Sequence, residues 1–142
     1  MKKSQGFTLF ELLVSISIIG ILVALATVSY SAAQKKARDA RRIQDMKSIQ
    51  TAAEQYYSIN NYSYPLVGLY TAGTAWAVGS QSVLESFPSD PKPSPQPAYT
   101  ATNISTSTYC VCATMEGTAQ GNSLAGCNFT GGTTHFCVKN QQ

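Results

Sequence analysis

Glu11 is the only charged residue between Lys3 and Lys35, and the residues around it are otherwise apolar or small and polar. A carboxylate inside a membrane costs about 2.5–3.5 kcal/mol on insertion scales and persists where a partner relieves it. Two readings follow: Glu11 meets a cation of another chain, or it lies at the interfacial edge, where the cost is small. The second chemically capable set is Cys110, Cys112, Cys127 and Cys137, all in the last third of the chain. An even, clustered set in a small domain reads as two disulfides made in an oxidising compartment. Cys110 and Cys112 are two apart, on one face of a strand, so they should not pair with each other. Nesting within a hairpin favours Cys112 with Cys127 and Cys110 with Cys137. Zinc is the rival, with His135 as an extra ligand, but the spacing fits no common zinc knuckle. Glu85, Asp90 and Glu116 are the remaining acid/base candidates. With one histidine in the chain and nothing to bring these carboxylates together, no enzyme is expected and no cofactor is implied.

The elements that position these groups are readable in outline. Residues 1–6 are short, basic and polar, like the first region of a signal peptide. The apolar run that follows is too long for an ordinary secretory signal and spans a bilayer. Helical periodicity then continues through Ala33, Ala37, Ala40, Ile43, Met46, Ile49 and Ala53, with Lys35, Arg38, Asp39, Arg42 and Asp45 opposite. Lys35–Asp39 and Arg41–Asp45 have i,i+4 spacing. One helix is therefore expected from about Phe7 to Ile59, roughly 80 Å at 1.5 Å per residue, ended by Asn60-Asn61 and Pro65. Gly20 either permits close helix packing or marks a weak point. Residues 66–85 are mixed, and 86–97 form a proline-rich loop. "TSTYCVCATME" and "THFCVKN" read as strands, joined by a turn-rich loop. The expected fold is α+β: a long N-terminal helix, membrane-embedded in its first half and amphipathic in its second, on a small antiparallel sheet with disulfide-linked C-terminal loops. The divisions are a leader (1–6), the apolar half of the helix (7–30), its amphipathic half (31–60) and a head (61–142).

The 142 residues carry ten basic and seven acidic side chains, a net charge of +3. Removing Lys2 and Lys3 with the leader leaves eight against seven, which gives no general argument for nucleic-acid binding. The basic residues Lys35, Lys36, Arg38, Arg41 and Arg42 read as a solvated or lipid-headgroup face. They also oppose the positive-inside rule, five following the span and two preceding it. Disulfide chemistry depends directly on compartment, so the cysteines decide for an N-terminus inside.

"KKSQGFTLFELLVSISIIGIL" closely resembles the signal of type IV prepilins and type II secretion pseudopilins, over residues 2–30. The resemblance implies cleavage by a prepilin peptidase after Gly6, N-methylation of the new terminus at Phe7, and a role in assembly for Glu11. Further along, "YYSINNYSYP" is similar to the family's end of helix, "FPSDP" to a Pro-x-Asp-Pro element of G-type pseudopilins, and "YCVCATME" to their strand ending in glutamate. The tryptophan-glycine that often follows that element is replaced by Lys92-Pro93, and the acidic calcium loop has no counterpart, so no metal site is expected.

The function implied is structural: a subunit of a type IV pilus or related filament, held in the inner membrane and then packed through its apolar helix into an extracellular fibre. The partners implied are copies of itself or related pilins, the prepilin peptidase and the pilus assembly machinery. The alternatives are a secretion or DNA-uptake pseudopilin, and a membrane-anchored binding module, whose mature chain would not begin at Phe7. Asn61, Asn103 and Asn128 each open a glycosylation sequon of high chance frequency.

Overall fold

A computed structural model describes residues 6–92, 99–117 and 120–142. The end of the proline-rich stretch, and Lys2 and Lys3, lie outside the described residues. The chain divides into two compact units, Met1–Lys35 and Lys36–Gln142. Helix α1 (Leu9–Ile59) supplies most of the first and the spine of the second.

In the first unit the helix begins at Leu9 rather than Phe7, because Thr8 caps it. The Glu11 N–H donates to the Thr8 hydroxyl at 3.2 Å, and the Glu11 carboxylate accepts from the Thr8 N–H at 2.9 Å. This reciprocal pair satisfies two of the free donors at the helix start. The helix is long and apolar enough to cross a membrane, and none of its apolar stretch is buried. It continues without a break through Gly20. The hydroxyls of Ser15, Ser17, Thr27 and Ser29 each donate to a carbonyl one turn back, at 2.7–3.3 Å.

In the second unit α1 buries Asp39, Arg42, Met46, Ile49, Ala52 and Ala53. The later half of the expected apolar stripe is thus correct. Its earlier half is not: Ala33, Ala37 and Ala40 are exposed, and two ionic residues hold the inward positions. The helix stops where expected. Asn61 and Tyr62 take left-handed conformations, φ 49° and 57°, and the Tyr62 N–H returns to the Tyr57 carbonyl at 3.1 Å.

Beyond a short 3₁₀ turn (Val67–Leu69), two strands that sequence periodicity missed form a hairpin, β1 (Trp76–Val78) with β2 (Gln81–Leu84). Gly79, at φ 60°, makes its turn. A second antiparallel sheet has the order β3 (Thr100–Thr102), β4 (Cys110–Thr114), β5 (His135–Lys139). The last two are the expected strands. The core between helix and sheets is largely aromatic: Tyr64, Tyr70, Trp76, Phe87 and Tyr109 join Met46, Ile49 and Val111. Trp76 packs edge-on to Tyr70 at 5.0 Å, and its indole N–H reaches the Leu69 carbonyl at 2.6 Å. Buried aromatics of this size dominate core energetics; the Trp76 N–H is matched in this way, while the buried Tyr70 hydroxyl has no partner among the described residues.

Candidate functional site

Gly6 and Phe7 precede the capped turn and are exposed, so the bond between them is reachable. Glu11 sits at the third helical position, its carboxylate directed back to Thr8, whose hydroxyl also donates to it at 2.8 Å. Sequence reading did not single out Thr8. The signal was present, since Thr-x-x-Glu before an apolar run is a capping signature.

Within the second unit the most ordered chemistry surrounds Arg42, whose side chain is fully buried. Its guanidinium makes a two-pronged contact with Asp90, at 2.7 and 2.8 Å, and donates to Asp39 at 2.8 Å and to Glu116 at 2.9 Å. Arg38 clasps both oxygens of Glu116 at 2.7 Å. The Asp39 carboxylate accepts the N–H groups of Glu116 and Gly117 at 2.9 and 2.8 Å. Lys92 adds its N–H to Asp90 at 2.8 Å and its ammonium to Glu116 at 3.6 Å. Three cations thus face three carboxylates. Hydrogen bonds from Arg38, and then from Arg42, hold Glu116 at about 2, below the ordinary carboxylate value. Arg42 is raised, chiefly by its contact with Asp90.

This arrangement corrects several expectations. Arg38 and Arg42 do not belong to a solvated basic face, although Lys35, Lys36 and Arg41 are exposed. Neither expected i,i+4 pair forms: Asp39 turns to Arg42, and Asp45 accepts the Tyr99 hydroxyl at 2.6 Å. Asp90 and Glu116 are brought together after all, by Arg42, while Glu85 stays exposed. Their oxygens are committed to fixed donors, so the cluster is built to hold α1, the segment around Asp90 and the end of β4 to one another. A buried arginine is costly unless its donors are matched in this way. Pattern reading missed it because apolar periodicity takes ionic residues for the outer face.

The cysteines form two disulfides, Cys110–Cys127 and Cys112–Cys137, with S–S distances of 2.02 and 2.05 Å. This reverses the nesting expected from the hairpin. Strand register is the reason: β4 and β5 place Cys112 opposite Cys137, and Cys110 opposite Lys139. Cys110 and Cys112 do not pair with each other, as their spacing required. The sulfurs of Cys110, Cys112 and Cys127 lie within 4.8 Å of one another, but each is spent in a bridge and offers no thiolate to a metal. His135 Nδ1 meets the Thr134 hydroxyl at 2.9 Å instead.

The family model for the prokaryotic N-terminal methylation motif matches residues 1–27. A fimbrial protein of Pseudomonas aeruginosa is 39% identical over 54 residues, 38% of this chain and 35% of that protein. The type II secretion system core protein G of Escherichia coli is 33% identical over 63 residues, 44% of this chain and 43% of that protein. The type IV major pilin protein PilA of Myxococcus xanthus is 32% identical over 56 residues, 39% of this chain and 26% of that protein. The chain thus spans between a quarter and a half of the length of these curated relatives. No solved structure matches it.

Proposed function

We propose that this chain, whose N-terminal segment is that of the type IV pilin and type II secretion pseudopilin family, is a structural subunit of a pilus or pseudopilus filament. One observation carries the reading: the uncovered apolar stretch of α1 begins within the residues that match the methylation motif, 1–27. Such a surface needs a medium that the chain itself does not supply, first a bilayer and then the same helices of neighbouring subunits. On this reading the N-terminus lies on the cytoplasmic side before assembly, and the disulfide-bearing head faces the oxidising side. The prepilin peptidase and the assembly machinery are the implied partners, and no catalytic role is assigned.

Cleavage between Gly6 and Phe7 creates an ammonium beside Thr8, which already holds the Glu11 carboxylate. In a staggered bundle, Glu11 of one subunit would reach the ammonium of the next. In a site of low dielectric that attraction is much stronger than in water, with desolvation offsetting part of it. Glu11→Gln and Glu11→Val should both give processed, membrane-bound protein with an intact head and a reduced yield of sheared filaments. Intact-mass measurement on wild-type filaments should find a chain beginning at N-methylated Phe7. A mature chain that still begins at Met1, or normal filament yield from both variants, would overturn the processing or the assembly role respectively.

A further inference from the structure

The two disulfides do not lie apart. Sγ of Cys112, bonded to Cys137, is 3.4 Å from Sγ of Cys127, bonded to Cys110. That is a near-attack separation, and because the Cys110 sulfur lies within 4.8 Å of both, the side chains must turn to bring the three sulfurs into line. Cys127 is held at this spot by its own turn, Gly126 and Cys127 both having positive φ, 71° and 65°, and by the Thr102 hydroxyl, 3.1 Å from its sulfur. Cys127 is also the one half-buried cysteine; Cys110, Cys112 and Cys137 are each 2–3% exposed. Cys137, by contrast, is outside the group of three clustered sulfurs.

We propose that the two bridges are coupled by thiol–disulfide exchange, with a third pairing, Cys112–Cys127, as their common product. Exchange needs a thiolate, an accessible disulfide sulfur and no net oxidant. If Cys112 is free, its thiolate attacks Cys127: the Cys112–Cys127 bond forms, the Cys110–Cys127 bond breaks, and Cys110 leaves as a thiolate that takes a proton from solvent. If Cys127 is free, its thiolate attacks Cys112: the same bond forms, the Cys112–Cys137 bond breaks, and Cys137 leaves. In the intact protein the first thiolate comes from an external thiol, either a small thiol or the reduced cysteine of a disulfide isomerase, which attacks Cys137 or Cys110, stays there as a mixed disulfide and releases Cys112 or Cys127 as the thiolate. Opening either bridge therefore threatens the other, and the head keeps its native pairing only while both are closed.

The test uses the full-length protein with Cys137→Ser and Cys110→Ser, acid-quenched, alkylated and mapped by peptide mass spectrometry. Both variants should yield the Cys112–Cys127 peptide, with the free thiol moved to Cys110 in the first and to Cys137 in the second. Cys112→Ser is the control, which should retain Cys110–Cys127 and leave Cys137 free. Retention of the single native bridge in both test variants would overturn the proposal, and exchange in only one would overturn the shared product. Should either variant fail to accumulate, wild-type protein treated with substoichiometric small thiol supplies the same readout. Appearance of the Cys112–Cys127 peptide supports the coupling, and its absence refutes it.

Discussion

The two parts of α1 invert the ordinary rule of burial. Up to Lys35 the helix is rich in leucine, isoleucine and valine, and all of these are exposed. From Lys36 onward its most deeply buried side chains include Asp39 and Arg42. Burial is decided by what stands opposite, and hydropathy alone does not determine it. The head supplies Arg42 with Asp90 and Glu116, enough hydrogen-bond acceptors to replace water. Among the described residues Leu13 and Ile18 stay exposed, so their exposed apolar area contributes nothing to the folding of the single chain.

The contrast can be broken most forcefully at Arg42. Arg42→Met should cost the head about 3–5 kcal/mol, because Asp39 and Asp90 would lose the buried cation that neutralises them. Trp76, the single tryptophan and fully buried, offers a fluorescence readout of head unfolding that ignores the exposed helix. Next comes a matched pair. Ile49→Ala, in the core, should lose about 2–5 kcal/mol on the same readout. Ile18→Ala, at an exposed position, should stay within about 0.5 kcal/mol, and an equal loss from both would destroy the contrast.

A third experiment is confined to acid. The Glu116 carboxyl is held at about 2 against an ordinary 4.5, so its contribution is complete above about 4.5. That contribution should fade as pH drops from about 4.5 to about 2. Urea titrations across that window should show the decline in wild type and a shallower one in Glu116→Gln. The smallest effect is expected at the helix start: Thr8→Ala removes a cap worth about 1 kcal/mol. It should fray the first turn, raising amide exchange near Leu9 and Phe10 while leaving the Trp76 transition where it was.

The long helix, its stop at Asn60, and strands β4 and β5 were legible because each rests on local pattern: apolar periodicity, turn chemistry and alternation. The short hairpin and β3 were not, since strands of three or four residues such as Trp76–Val78 carry too little alternation to stand out. The disulfide pairing was unreadable for a different reason. It depends on register, and a slip of two residues along β4 exchanges Cys110 and Cys112 as the partner of Cys137. The ionic core was misread because its acids come from distant parts of the chain. "RDARR" shows three arginines around one aspartate, while Asp90 lies 48 residues beyond Arg42 and Glu116 lies 74 beyond it. Gly6, Phe7 and Glu11 were singled out by a contiguous motif, a kind of pattern that needs no folding to be seen, and their roles remain proposals.

The hydroxyls of the apolar stretch have a last consequence. Because Ser15, Ser17, Thr27 and Ser29 already donate to carbonyls of their own helix, none of them depends on water, lipid or another chain for a partner. The segment is portable. It can exchange one nonaqueous surrounding for another without breaking any of these hydrogen bonds, so the free-energy difference between those surroundings is set by packing and by the few charges at its ends. A mechanical extraction step acting on such a helix would work against dispersion and would meet no polar latch at these four positions.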